Sequence, residues 1–495
     1  MMTLLLLLLY FFASCFGDGL EGEQIPLKVN QDTVKGRIAI IGAGAGGSSA
    51  AYYLQKYTNH GFNITIYEKS NYIGGRATTV PIGGNSSYLV ETGASIFVSA
   101  NKILSKAVED FNFETQAFRE GAKKVSNADN RIGIWNGNSI LVIFSDSIMD
   151  KMKLFLRYGL DIFRSLSLSK QFVQRFLDYY YNKLFPFESL NTAAYLSDFL
   201  NYTKITGRGL FTEKGISDLF SLEFIQSLTR VNYAQDLESI HAIGTLVCLA
   251  ANNARQVKGG NWQIFRKFIE SSKADLKLKE TVKSIKRDNV WNKWQLEHVN
   301  SETGNTNIGL FDDIIIATPF DQANIEGDNI NIPSVEYVHL HVTFFVSNSA
   351  LNASFFGKDL QQPFPSTILT TPFNQSDENS SDFDIPIYSL SLIDYIEERR
   401  SYVYKIFSKE KLTDDFIREI SGSRANISWV YRKEWYSYPK LHPTTNFTDF
   451  KVADGLWYLN GMETFISTME TSALAGANVA GLISLGRNTS DIILP

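Results

Sequence analysis

Arg37-Ile38-Ala39-Ile40-Ile41 runs straight into Gly42-Ala43-Gly44-Ala45-Gly46-Gly47 and on into Ser48-Ser49-Ala50-Ala51-Tyr52-Tyr53-Leu54. The first five residues have the character of a short, fully buried parallel strand. The small residues after the glycines read as a helix pressed closely on a sheet. A second strand follows from Asn63 to Tyr67 and ends at Glu68. Gly42 takes the tight turn, Gly44 with Ala45 lets a pyrophosphate approach the backbone, and Gly47 permits close helix packing. The helix N-terminus then faces the phosphates. Glu68 lies 26 residues past Gly42, at the tip of the second strand, where a carboxylate can accept both hydroxyls of an adenosine ribose. Strand, loop, helix, strand and acid in this order make a dinucleotide-binding unit rather than a simple glycine-rich turn.

The next segment separates two kinds of dinucleotide. Gly74, Gly75, Arg76 and Thr79 resemble the Gly-Gly-Arg-x-x-Thr segment of glutathione-reductase-like and amine-oxidase-like flavoproteins. That resemblance implies FAD, with the close backbone and the arginine serving its pyrophosphate and ribityl chain. Gly93, Ala94 and Ser95, within Glu91–Ser95, resemble the loop that passes the flavin side. The chain carries one glycine fingerprint, so no second fold for NAD(P) is expected, and O2 is the expected electron acceptor. The cofactor domain is expected to return twice. Gly259-Gly260-Asn261 precedes a helix from Gln263 to Ser272 and a strand from Leu276 to Lys286, in which the resemblance implies that the Val282 backbone pairs with adenine. Asp312 to Pro319 is a buried strand that hands the chain to a second lobe. Gly455 to Glu463 is a strand and turn, and a helix rich in small residues starts at Thr468 and Met469. Its N-terminus is expected to face the flavin, where the helix dipole favours negative charge on the reduced ring.

The fold class expected is α/β: a Rossmann-like FAD-binding domain with a discontinuous α+β substrate domain. A chain of 495 residues, 44% of them apolar, exceeds what one core usually supports. The cofactor domain is placed at residues 36–120, 241–330 and 451–487, and the substrate domain at 121–240 and 331–450. Helix-like periodicity and aromatics, Tyr179-Tyr180-Tyr181 among them, dominate the first substrate segment, and strand-like runs the second. The net charge of −5, without a basic stripe, argues against nucleic acid and for a small-molecule partner. Residues 1–17 read as a signal peptide, too short for a membrane span, and no later stretch is long enough for a transmembrane helix. Sequons at Asn85, Asn201, Asn352, Asn374, Asn379, Asn426, Asn446 and Asn488 support a secretory route. Asn63 also fits, but it opens a strand expected to be buried. Loss of Cys15 with the leader leaves Cys248, a buried structural thiol, and no internal disulfide. The six histidines show no ligand spacing, so no metal site is expected. Residues 374–384 read as a solvated acidic loop.

Several segments together resemble the prenylcysteine oxidase family. They are the glycine loop with its helix, Arg230-Val231-Asn232-Tyr233-Ala234-Gln235, Gly259-Gly260-Asn261, Tyr404-Lys405-Ile406-Phe407-Ser408, Trp435-Tyr436-Ser437-Tyr438-Pro439 and Tyr458–Glu463. Val98 departs from the pattern, where relatives are expected to carry histidine. The resemblance implies an FAD-dependent thioether oxidase in a lysosome, or secreted. Its substrate would be farnesyl- or geranylgeranyl-cysteine, converted with O2 and water to a prenyl aldehyde, cysteine and hydrogen peroxide. Removing hydride from the carbon beside sulfur leaves a cation shared with sulfur and the allylic double bond, so no strong base is needed and no catalytic residue is assigned. Phe220, Leu222, Phe224 and Ile225 are candidates for a prenyl tunnel or for core, and Arg230 for a carboxylate contact or a salt bridge. A flavin amine oxidase and a non-catalytic prenyl carrier of escort-protein type remain as alternatives. The sequence assigns no oligomeric state.

Overall fold

The computed structural model describes residues 35–118, 120–125, 131–251, 253–327, 330–357, 364–373 and 385–487. The leader at 1–17, the acidic loop at 374–384 and the sequons at Asn374, Asn379 and Asn488 lie outside these residues.

The strand Gly36–Ile41 is paired in parallel on both sides, with Phe62–Glu68 and with Asp313–Ile316. This double coverage is why Ile38, Ala39 and Ile40 are wholly buried and why the run has no polar alternation. Six strands follow in the order Lys451–Ala453, Leu456–Tyr458, Asp313–Ile316, Gly36–Ile41, Phe62–Glu68 and Asp275–Leu278. All pairings are parallel except the Lys451–Ala453 edge. The sheet thus takes strands from near residues 40, 65, 277, 315 and 457. The helix Ala45–Thr58 lies against the buried helix Met469–Leu485. Their backbones approach so closely that a Cβ on Gly476 would stand 2.2 Å from the Gly46 carbonyl oxygen and 2.7 Å from Ala50 N. The Ser49 hydroxyl donates to the Ala473 carbonyl at 2.6 Å across the same contact. Small residues on both helices are therefore a steric requirement.

A second sheet has seven strands, in the order Ile427–Pro439, Tyr337–Ser347, Ser401–Ser408, Ile387–Ile396, Thr367–Thr370, Ile132–Trp135 and Ile140–Phe144. Its last two strands come from the first intervening segment, which reads as helical in sequence. Ile132–Trp135 pairs parallel with Thr367–Thr370 and antiparallel with Ile140–Phe144, a partnership with no local signal. Beyond them the segment is helical, including Ile148–Tyr158 and Asp161–Leu177.

The single strand expected from Leu276 to Lys286 is two. Lys279 adopts a left-handed backbone (φ 61°), so Asp275–Leu278 stays in the six-stranded sheet while Glu280–Asp288 joins a four-stranded one. Asn63 lies second in its strand with its side chain exposed, not buried as expected. Among the described residues no helix is long and apolar enough to cross a membrane.

Candidate functional site

A cleft of about 350 Å³ opens at the carboxyl ends of the parallel strands, past Ile41, Glu68 and Ala317. Ligand crevices of open α/β sheets form there because the strand-to-helix loops diverge at that edge. Of the residues singled out in sequence, Gly42, Gly44, Ala45, Glu68, Gly75 and Arg76 line it from the first part of the chain, with Gly93 and Ala94. Val282 joins them from the middle, and Glu463, Thr468 and Met469 from the end. Gly47 and Ser95 do not line it. Gly47 sits beneath, where a Cβ would lie 2.0 Å from the Gly42 carbonyl oxygen, so its role is packing. The Ser95 hydroxyl donates to the Gly93 carbonyl at 2.7 Å and accepts from Lys405 Nζ at 3.0 Å, which turns it away from a ligand.

The geometry fits FAD on four counts. Gly44 caps the helix Ala45–Thr58 without a side-chain hydrogen bond, so the first-turn N–H groups are left for a ligand. A Cβ on Gly44 would meet nothing within 4 Å, because it would project into the cleft. Glu68 accepts Ala43 N–H at 2.9 Å on one oxygen and Ser70 N–H at 2.8 Å on the other, so the carboxylate is held at the strand tip with lone pairs to spare. Gly74 N–H donates to the Ala43 carbonyl at 2.9 Å, laying the Gly74-Gly75-Arg76 turn on the glycine loop. The strand Glu326–Gly327 covers Ser284 and Ile285 and stops short of Val282, which stays at the cleft edge.

Arg76 and Glu463 join the two ends of the cleft. Their side chains form a bidentate ion pair, with Arg76 Nη1 to Glu463 Oε2 at 3.1 Å. Arg76 also donates to the Ser437 carbonyl at 2.7 Å. Glu463 accepts from Tyr337 OH at 2.8 Å and from Asn460 Nδ2 at 2.9 Å. Burial works against the guanidinium charge, but Glu463 outweighs it and holds Arg76 above its ordinary pKa. Burial pushes the Tyr438 phenol in the cleft wall up to about 12, against the pull of Arg76, so it stays protonated at neutral pH. At the far end, Thr468 and Thr471 form a reciprocal capping pair that fixes the first turn of Met469–Leu485. Behind the loop Glu91–Ser95, Asn261 N–H donates to Glu91 at 2.6 Å and Asn261 Nδ2 to the Ala94 carbonyl at 3.1 Å, which explains the Gly-Gly-Asn turn. Desolvation raises the Glu91 carboxyl to about 7, opposed by that amide and by Lys405.

The family model described as prenylcysteine lyase matches residues 144–490, and that of an NAD(P)-binding Rossmann-like domain matches 40–111. The chain belongs to the prenylcysteine lyase family. Farnesylcysteine lyase of Arabidopsis thaliana is 31% identical over 95% of this chain and 91% of its own length. Prenylcysteine oxidase 1 of Mus musculus is 28% identical over 90% and 88%. Among solved structures, a putrescine oxidase double mutant superposes with a TM-score of 0.58 at 13% identity, covering 92% of this chain and all of that one. Cyclohexylamine oxidase of Brevibacterium oxydans gives 0.56 at 14%, covering 91% and 99%. These likenesses show the shared α/β flavoenzyme fold, and FAD is the cofactor of this lyase-family chain.

Other sequence candidates of this prenylcysteine lyase homologue lie elsewhere. Arg230 is buried, with Nε to Thr370 Oγ1 at 3.0 Å, Nη1 to Asp236 at 2.8 Å and its guanidinium over the Tyr388 ring, so it ties a helix to the second sheet. Phe220 and Ile225 are core, and neither they nor Leu222 and Phe224 line the cleft. Burial pushes the Cys248 thiol up, and it donates to the Gly244 carbonyl at 3.2 Å. Val98 is half-buried, and its N–H donates to Asn101 at 2.7 Å. The histidines do include ligand spacing: strand alternation brings His339 and His341 beside Glu434 of the neighbouring strand, within 4.8 Å, although none of the three lines the cleft. Sequence reasoning missed Asn460, Ser437 and Thr281 at the cleft, and Tyr337, which holds Glu463 without lining the cleft. Asn460 was within reach, because it stands three residues before Glu463 on a helical turn.

Proposed function

We infer that this protein is an FAD-dependent thioether oxidase that cleaves prenylcysteine. The observation that carries the reading is a cofactor cleft built from the whole length of a chain that matches farnesylcysteine lyase over nearly all of both proteins. Bound FAD supplies a two-electron acceptor beside the substrate. Hydride leaves the prenyl carbon attached to sulfur, and the resulting cation is shared with the sulfur lone pair and the double bond. Water adds at that carbon, and the hemithioacetal collapses to prenyl aldehyde and free cysteine. Two electrons pass on to O2 with two protons, giving hydrogen peroxide and balancing one thioether, one O2 and one water.

The chain's residues position and enclose. Glu68 and the glycine loop would hold the adenosine and phosphates of bound FAD, and the Thr468-capped helix, whose first residues line the cleft, would offer its positive end to the cofactor. No side chain is required as a strong base, and Arg76 and Glu463 neutralise each other where they line the cleft. A farnesyl group offers on the order of 10 kcal/mol of gross transfer energy at roughly 0.8 kcal/mol per carbon, so affinity comes mainly from the tail. The reading includes a secretory route ending in the lysosome, which the exposed sequons Asn201, Asn426 and Asn446 support.

Anaerobic titration of the purified protein with farnesylcysteine tests the activity. Bleaching of the oxidised flavin bands, then peroxide and farnesal on admitting air, is the expected result. A flavin that ignores farnesylcysteine but bleaches with primary amines, with release of ammonia, would overturn it.

A further inference from the structure

His339 and His341 stand two residues apart on the strand Tyr337–Ser347, so the pleat sends both side chains to one face of the seven-stranded sheet. On the edge strand Ile427–Pro439, Glu434 is the cross-strand partner of His341, and Tyr436 is that of His339. The ligating atoms of His339, His341 and Glu434 all lie within 4.8 Å of one another. His339 Nε2 is 2.7 Å from Glu434 Oε1. The two imidazole rings are 4.9 Å apart, and Tyr436 stacks on His339 at 5.1 Å, which orients that ring.

A histidine–carboxylate pair alone is an ordinary surface contact. His341 makes the difference: it is half-buried beside the pair, and among the described residues its ring nitrogens make no hydrogen bond. Two imidazoles and a carboxylate are a ligand set of borderline divalent metals, with a fourth position left to water. Ca2+ and Mg2+ prefer oxygen ligands and are disfavoured here. Tetrahedral angles and bonds of about 2.0–2.1 Å place neighbouring ligand atoms about 3.3 Å apart. The His339–Glu434 contact would open by about 0.6 Å, and the other separations would close by at most about 1.5 Å. Side-chain torsions suffice for this, because the Glu434 side chain is 60% exposed and that of His339 42%. Glu410 and Lys411 are the other charged groups acting on His341, one of each sign, so the balance at the site is set by Glu434 against the ion.

We propose that His339, His341 and Glu434 form a zinc site. Its place in the sheet gives it an effect. The strand Ile427–Pro439 is hydrogen-bonded in the sheet to one neighbouring strand only, and it carries Trp435, Tyr436, Ser437 and Tyr438 in the wall of the cofactor cleft. The register of the two strands slips between Tyr337 and His339, next to the site, and close by the Ser437 carbonyl accepts from Arg76. Bound zinc cross-links the edge strand to its neighbour beside this slip and stiffens the wall to which Arg76 is bonded. None of the three ligands lines the cleft, so the site depends on neither the flavin nor the prenylcysteine reading.

The test is calorimetric titration of Zn2+ into the full-length, tag-free, FAD-loaded protein after treatment with a chelator. No prenyl compound is present, so the outcome does not depend on turnover. One equivalent of zinc is expected to bind and to raise the melting temperature. Ca2+ is expected to give no binding heat. Glu434→Gln keeps a hydrogen-bond partner for His339 but loses the charged ligand, and is expected to weaken zinc binding at least about tenfold. His341→Ala is expected to do the same. Unchanged flavin spectrum and metal-free melting temperature certify the fold, and His339→Ala, at a more exposed position, serves if His341→Ala misfolds. Failure of wild type to bind zinc overturns the proposal. So does zinc binding that these substitutions leave unchanged.

Discussion

Arg76 and Glu463 are 387 residues apart in the chain and share one ion pair, but the two are not equally buried. The Glu463 side chain is 3% exposed and that of Arg76 is 33%, facing the cleft. Arg76→Met therefore strands a carboxylate that solvent cannot reach. Breaking a buried pair from one side costs about 3–5 kcal/mol. Tyr337 and Asn460 still donate to that carboxylate, and hydrogen bonds to a charged group offset part of the loss, leaving about 2–4 kcal/mol. Glu463→Gln leaves an arginine that keeps its bond to the Ser437 carbonyl and turns to solvent in the cleft, for a cost of about 1–2 kcal/mol. The assay is urea unfolding at saturating FAD, with FAD affinity measured separately so that ligand stabilisation is not mistaken for the pair. The expected order is Arg76→Met more damaging than Glu463→Gln, with a double-mutant coupling of at least about 1 kcal/mol. Equal losses, the reverse order, or strict additivity would refute the assignment of the buried charge to Glu463.

The two glycines of the loop are expected to separate binding from folding. Gly44→Ala meets no atom within 4 Å and should melt like wild type while losing FAD occupancy, whereas Gly47→Ala forces a Cβ against the Gly42 carbonyl and should lower stability by about 1–3 kcal/mol or more. Glu470 accepts from Ile103 N–H at 2.7 Å, Leu104 N–H at 3.1 Å and Tyr181 OH, yet burial outweighs these bonds and raises its carboxyl to about 7. The folded state therefore binds this proton more tightly than the unfolded one, so the stability it contributes is full below about pH 4.5 and is lost as pH rises through about 7. The difference in melting temperature between Glu470→Gln and wild type should move in the variant's favour from pH 5 to 8, and a flat difference would sink the argument.

The parts legible in sequence are those whose partners are near in the chain or whose role is steric. Gly42 to Glu68 carries its own strand pairing, tight turn and ribose acid, so the unit could be read without knowing what surrounds it. Arg76 and Glu463 could each be assigned to the cofactor, but not to each other, because nothing local records a pairing across most of the chain. Ser95 illustrates the opposite case: its motif is visible, but Lys405, on a strand of the other sheet, takes its hydroxyl. Arg230 was undecidable because a carboxylate ligand and Asp236 ask the same of a guanidinium. Ile132–Phe144 became strand because Thr367–Thr370 offered it an edge, a tertiary influence that outweighs local periodicity. His339 and His341 share a face only through the period-2 alternation of a long strand.

The cleft needs residues 42–76 and residues 459–472 at once, and Gly476 must lie on Gly46 before either side is closed. During synthesis the nucleotide loop leaves the ribosome hundreds of residues before the helix that completes it. The early βαβ unit must wait with its small-residue face uncovered, a surface suited to chaperones and prone to misassociation. Loading with FAD then reports that synthesis has passed the helix Met469–Leu485. A quality-control system sensing only whether the cofactor is held would distinguish finished chains from those shortened by a few dozen residues.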